Sequence, residues 1–275
     1  MLTRTITLPA TDGRPWRIYA LSDCHVGSAL CDEAGLERWI RAIAQDDYGR
    51  VVITGDLIAA IGKADKRLDW GSLASWVRDG DPQFAEDILD LEIERVTELL
   101  QPIADRIDGY VEGNHERMPR RWYGRAVGPA IVRDIGCRDA YLGAQGWVCY
   151  SFKVTATQRR RLTVYLHHGY SAGRTVGGQT AMLERMLRDN DADIAICGHS
   201  HETFARPMPR LRLDAKTGKP VEQQRWGILA GTWERSSDGR SDGWGDERAL
   251  SPKRLGGVTI EYEPATAATK VLLTG

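Results

Sequence analysis

Five apolar, strand-like runs in this chain each end in residues that can bind a metal, and together those ends use every histidine present. Ile18-Tyr19-Ala20-Leu21 leads to Asp23-Cys24-His25, and Val51-Val52-Ile53-Thr54 leads to Gly55-Asp56. Tyr110-Val111-Glu112 leads to Gly113-Asn114-His115-Glu116. Val164-Tyr165-Leu166 leads to His167-His168-Gly169, and Ile194-Ala195-Ile196-Cys197 leads to Gly198-His199-Ser200-His201. Short apolar and β-branched runs of this kind read as buried strands. In open α/β sheets, ligands bind outside the carboxyl ends of strands. A fold that sets these five ends side by side gathers two carboxylates, one amide and several imidazoles in one crevice. Such a donor set suits manganese, iron or zinc rather than a thiolate-bound zinc.

The rest of the chain is consistent with one mixed α/β domain over residues 1–275. Residues 33–44 place apolar side chains at helical spacing, with Asp32 as a possible cap. Residues 82–105 form the longest helical pattern, with Asp81 before it and Pro82 in its first turn. Residues 147–154 and 161–168 flank a polar tip and read as a hairpin, as do the two ends of 210–226. A helix is expected over 180–190 and strands over 193–197, 226–231 and 257–263. Residues 236–249 are polar and glycine-rich and read as a surface loop. The net charge of -1 gives no global electrostatic case for nucleic acid or membrane. Five cysteines without a C-x-x-C pair indicate neither a disulfide framework nor a zinc knuckle. No run approaches a membrane span, and the first residues lack the apolar core of a signal peptide. A cytoplasmic setting is therefore expected, with no membrane partner.

Each short motif is weak alone; the five in this order are not. The ordered set D-x-H, G-D, G-N-H-E, histidine, G-H-x-H resembles the calcineurin-like metallophosphoesterase superfamily, over residues 21–201. The resemblance implies a four-layer α/β/β/α sandwich, a double β-sandwich flanked by helices, with a binuclear metal site at the C-terminal strand ends. It implies that Asp23, His25 and His201 hold one divalent ion. It implies that Asn114, His199 and one of His167 and His168 hold the other, with Asp56 between them. His167 is favoured, because the family more often uses the first histidine of such a step. His115 is by analogy no ligand but the group facing the leaving oxygen. The resemblance also implies a metal-dependent phosphoester hydrolase with two ions, manganese first and iron or zinc as alternatives, and a bridging hydroxide as nucleophile. Two ions about 3.5–4 Å apart need a shared anionic ligand, and one carboxylate suffices.

Several residues have a bland reading beside the functional one. Cys24, between two ligand positions, should face the core. Asn114 could be chosen for a left-handed backbone as well as for metal. Arg174, in the glycine-rich stretch 171–179, and Arg117, among the arginines of 116–121, are candidates for substrate phosphate; a flexible connector and a solvated surface are the alternatives. One departure from the pattern matters. Position 59, where many relatives carry an aspartate that orients the leaving-group histidine, is Ala59, so Glu116 or another group must hold His115. A phosphodiesterase is favoured over a phosphomonoesterase. A nuclease acting on DNA or RNA is the alternative, and a non-catalytic scaffold is disfavoured because no ligand of the pattern is missing.

Overall fold

The structure, a computed structural model, describes residues 2–11, 13–60, 70–80, 85–170, 175–237 and 251–274. Two six-stranded sheets make its centre. The first runs in the order β14 (Ala268–Leu273), β13 (Val258–Glu263), β2 (Trp16–Leu21), β3 (Gly49–Ile53), β4 (Ile107–Val111) and β5 (Tyr141–Gly143). Strands β2 to β5 are parallel, and β13 and β14 continue the sheet antiparallel. The second runs β1 (Leu2–Leu8), β6 (Gln145–Lys153), β7 (Arg159–His167), β8 (Ile194–Cys197), β12 (Trp226–Ala230) and β9 (Thr203–Pro207). Here β7, β8 and β12 are parallel. A separate two-stranded hairpin pairs β10 (Arg210–Leu213) with β11 (Pro220–Gln223).

The runs are apolar on both faces because the central strands are covered on both faces. Ile18, Ala20 and Val52 of the first sheet meet Val164, Leu166 and Ile196 of the second in an inner core. On the outer side, Leu21, Val51 and Ile53 meet Leu36, Ile40 and Ile43 of α1 (Glu33–Ala44). Ala195, Cys197 and Leu229 meet Met182, Leu183 and Met186 of α6 (Val176–Asp189). These are the four layers expected. Short α2 (Ser75–Asp79), α3 (Ala85–Leu100), α4 (Asn114–Tyr123) and α5 (Val127–Asp134) complete the helices of the described residues.

The departures from expectation have local causes. Helix α1 has the expected bounds, but Asp32 makes no capping bond; its carboxylate accepts from Arg235 at 2.8 Å. Helix α3 ends at Leu100, and Pro102 sits in the 3₁₀ turn that follows. Its expected start at 81–82 lies outside the described residues, as does 238–249 of the polar loop. Helix α6 begins at Val176 rather than 180, because the Thr175 hydroxyl accepts from Gly178 N–H at 3.2 Å. Residues 116–121, read as surface after a turn, lie within helix α4.

Candidate metal centre

The exits of β2, β3, β4, β7 and β8 do meet. The Asp23 N–H donates to Gly55 O at 3.0 Å, and Gly198 N–H to His168 O at 2.9 Å. The turns at these exits are strained. Asp23, His25, Asp56, His199 and His201 adopt φ of 50, 49, 53, 67 and 55°. The left-handed region costs an L-residue about 1–2 kcal/mol. Among the described residues, only Ala60 and Ala267 are other non-glycines found there. Strain held at one cluster marks a site that the surrounding fold enforces. Asn114 is not left-handed, contrary to one reading of it; it opens α4. Two glycines allow the close approach: a Cβ on Gly113 would collide with the Asp56 carboxylate, and one on Gly198 with Ser22 and Asp23.

Asp23, His25 and His201 form one group, with ligand atoms within 4.8 Å of one another. The two Nε2 atoms of His25 and His201 lie 3.2 Å apart, and His201 Nε2 is 3.3 Å from Asp23 Oδ1. Asp23 is fully buried; its carboxylate accepts from Ser22 Oγ at 2.5 Å and from His199 N–H at 3.0 Å. Burial alone would raise its pKa, but the His201 hydrogen bond and charge hold it below the usual range. Burial pushes His25 down to about 4, with the neighbouring His115 and His201 adding to the effect.

Asp56, His168 and His199 form a second group. His168 Nε2 lies 3.1 Å from Asp56 Oδ2 and 3.1 Å from Asn114 Oδ1. His199 Nδ1 is 3.0 Å from the same Asn114 oxygen. His168 Nδ1–H donates to Thr54 O at 2.6 Å, which turns Nε2 into the cluster. Burial would lower His168, but the Asp56 carboxylate overcomes it and pushes the imidazole up to about 9. Asp56 itself is held well below the usual range against the cost of burial, by His115 and His168.

At the β7 exit it is His168 that joins the donor group, while His167, the one favoured from the sequence, faces elsewhere. Leu162, Val164 and Leu166 point inward from β7, and His168 continues their parity. His167 continues the other parity; it accepts from Gly169 N–H at 2.8 Å and faces Tyr170, with ring centroids 6.4 Å apart. Cys24 is buried in the core, as expected.

His115, Asp56 and His25 make a third group that shares Asp56 with the second. The imidazole of His115 stands T-shaped to that of His25 at 4.6 Å, and its Nε2 is 3.9 Å from Asp56 Oδ2. Its Nδ1–H donates to the Ala59 carbonyl. The backbone of residue 59 thus does what a side chain there cannot. Glu116 serves the backbone instead. Its carboxylate accepts from the N–H groups of Gly113, Asp56 and Leu57 at 2.8, 3.0 and 2.5 Å, tying the β3 and β4 exits together. Sequence reasoning also missed Glu234, at the exit of β12, whose Oε2 lies 3.9 Å from His25 Nε2. The cue available was another apolar run ending in a glycine, Ile228-Leu229-Ala230-Gly231, but no histidine followed.

At the rim, Arg117 is exposed, and its Nε donates to Gly113 O at 3.0 Å. Arg120 is engaged by Glu112 at 3.0 Å. Arg174 lies outside the described residues. The donor set of imidazole nitrogens and carboxylate and amide oxygens, without sulfur, fits divalent ions of the manganese, iron or zinc kind.

An α/β/β/α sandwich with this cluster at its strand ends defines a metal-dependent hydrolase of phosphoesters. The chain belongs to the calcineurin-like phosphoesterase family, whose sequence profile matches residues 17–203. No curated protein matches it. Similar solved structures include wild-type Vps29 from Entamoeba histolytica complexed with zinc, at 14% identity and TM-score 0.36, covering 93% of this chain and 97% of that one. A metallophosphoesterase from Sphaerobacter thermophilus is 12% identical at TM-score 0.37, covering 94% and 88%. The NAD nucleotidase of Haemophilus influenzae is 10% identical at TM-score 0.38, covering 94% of this chain and 49% of that one. Among the described residues, no helix is long and apolar enough to cross a membrane.

Proposed function

We propose that this protein is a binuclear phosphodiesterase, acting as one domain in the cytoplasm with manganese as its working ion. The observation that carries the reading is Asp56, which groups with His168 and His199 on one side and, on the other, with His25 of the first donor group. Asp23, His25 and His201 would hold one ion and Asn114, His168 and His199 the other, with Asp56 available to both. When bound, such a pair neutralises phosphoryl charge and activates water at neutral pH.

The chain's own residues do the rest. Asp56 fixes the His115 backbone, accepting its N–H at 2.9 Å. The Ala59 carbonyl holds the His115 ring by Nδ1–H, so Nε2 faces the reaction; as an imidazolium, with a proton on each nitrogen, the ring gives its Nε2 proton to the departing oxygen and is left neutral. Arg117 pairs with a phosphoryl oxygen from the rim, and Arg174 is proposed for the same task. The half-buried His199 and His201 leave the cluster open on one side, which suits a substrate with groups on both sides of phosphorus.

A second reading, a nuclease on single strands, is favoured by α4. Trp122, 61% exposed, follows the exposed Arg121 on the helix that starts at the site, and exposed aromatic and cationic side chains on one element suit unpaired bases. Hydrolysis of p-nitrophenyl phosphate, bis-p-nitrophenyl phosphate, cyclic nucleotides and single- and double-stranded DNA with added Mn²⁺ tests both readings. The diester should be cleaved faster than the monoester. Faster monoester cleavage would overturn the diesterase assignment, and preferred cleavage of DNA strands would move it to the second reading.

A further inference from the structure

We propose that Glu234 is a positioning residue for the first ion site: its carboxylate orients His201 so that Nε2 is presented to the ion. The inference rests on the reading that Asp23, His25 and His201 hold that ion. The imidazole of His201 is approached from two sides. Its Nε2 faces the cluster, 3.2 Å from His25 Nε2 and 3.3 Å from Asp23 Oδ1. Its Nδ1 faces Glu234 Oε2 at 3.9 Å. A histidine that ligates through one nitrogen is held by what the other nitrogen meets, and a carboxylate at Nδ1 keeps the proton there and the lone pair on Nε2. The 3.9 Å separation exceeds a hydrogen bond, so the Glu234 carboxylate, 22% exposed, acts on the Nδ1 side of the ring through its charge.

The backbone around Glu234 is fixed to the turn that carries Asp23. The Thr232 hydroxyl and the Trp233 N–H both donate to the Asp23 carbonyl, at 2.9 and 3.0 Å. Glu234 N–H donates to Thr232 Oγ1 at 3.0 Å. Beyond it, Arg235 N–H donates to Leu30 O at 2.9 Å, and the Arg235 side chain meets Asp32 at 2.8 Å. Trp233 is buried against Trp39, with ring centroids 5.4 Å apart. The segment after β12 is thus a strap across the Asp23–His25 turn, and Glu234 is the side chain that it delivers to the imidazoles. Of the charged groups brought to the cluster, this is one that the histidine pattern does not mark.

The test is Mn²⁺ titration of metal-free full-length protein, with binding followed by calorimetry and by electron paramagnetic resonance, which separates isolated from coupled ions. Glu234→Ala should weaken one of the two ions roughly 10- to 100-fold and leave the other within about twofold. At intermediate Mn²⁺ it should show the signal of an isolated ion where wild type shows a coupled pair. Glu234→Gln, which keeps an acceptor oxygen, should recover part of the affinity. Unfolding of the metal-free variants in urea should match wild type. If wild type binds two ions and Glu234→Ala binds both as tightly, the inference is wrong while the binuclear reading stands. If Glu234→Ala weakens both ions equally or unfolds at lower urea, Glu234 is structural and the inference is again wrong. If wild type binds fewer than two, the binuclear reading itself fails, and the inference with it.

Discussion

The cluster has two unlike halves. Asp23, His25 and Asp56, from the exits of β2 and β3, are 0, 3 and 2% exposed, and Glu116 is wholly buried beneath them. His199 and His201, from the exit of β8, are half-buried, with 26% of the His201 side chain exposed. Both halves use left-handed backbone, so the strain does not follow burial. What differs is the support. Three backbone N–H groups converge on Glu116 and tie the β3 and β4 exits, whereas the β8 exit leans on the Asp23 carboxylate through His199 N–H. The sealed half is set by folding, because buried carboxylates without partners would be too costly to keep. The open half is the side left to solvent. Substitutions in the sealed half should cost stability as well as activity, and those in the open half activity with little stability.

Asp56→Asn should have the largest effect, about a 10³-fold loss of kcat/KM on every substrate, because it touches both ion groups and the His115 backbone. Near-normal activity and metal content would break the claim that Asp56 is shared. The neighbours at the β7 exit come next. His168→Ala should lose one ion and at least the roughly 10- to 100-fold that losing an outer-shell partner costs, while His167→Ala keeps its metal. The reverse pattern on elemental analysis would restore His167 as ligand.

His115→Asn should keep both ions and lose activity according to the leaving group. An ester with a basic alkoxide should lose about 10²-fold, and a p-nitrophenyl ester less, since p-nitrophenolate departs unaided. Equal losses on both, measured on one preparation, would remove the general-acid role. Glu116→Gln sharpens the contrast in stability. An amide cannot accept from all three N–H groups, and the loss should be about 1.5–3 kcal/mol in urea unfolding of metal-free protein. His201→Ala, in the open half, should shift the same measurement by no more than about 0.5 kcal/mol. Equal shifts for the two would erase the distinction between the halves.

Much of this was legible in the chain. The apolar runs of β2, β3, β4, β7 and β8 follow from burial on both faces, and the donor residues at their ends are read directly from the sequence. The placement of His168 rather than His167 in the cluster was legible too. Leu162, Val164 and Leu166 alternate with Arg161, Thr163 and Tyr165, and that alternation puts His168 on the inner face. The role of Glu116 was half visible, since a glutamate three residues after Gly113 is a helix-start pattern; its bonds to Asp56 and Leu57 join positions about sixty residues apart and have no local signature. The Ala59 carbonyl is invisible to any reading of side chains. The left-handed turns gave no warning either, because aspartate and histidine occupy them where glycine would have announced them.

One chain is expected to gather two ion sites around Asp56. Metal-free protein saturated with Mn²⁺, freed of excess and analysed for metal per chain, tests it most directly. Two equivalents are expected, falling to one or fewer in Asp56→Asn. One equivalent or fewer in the wild type would contradict the account.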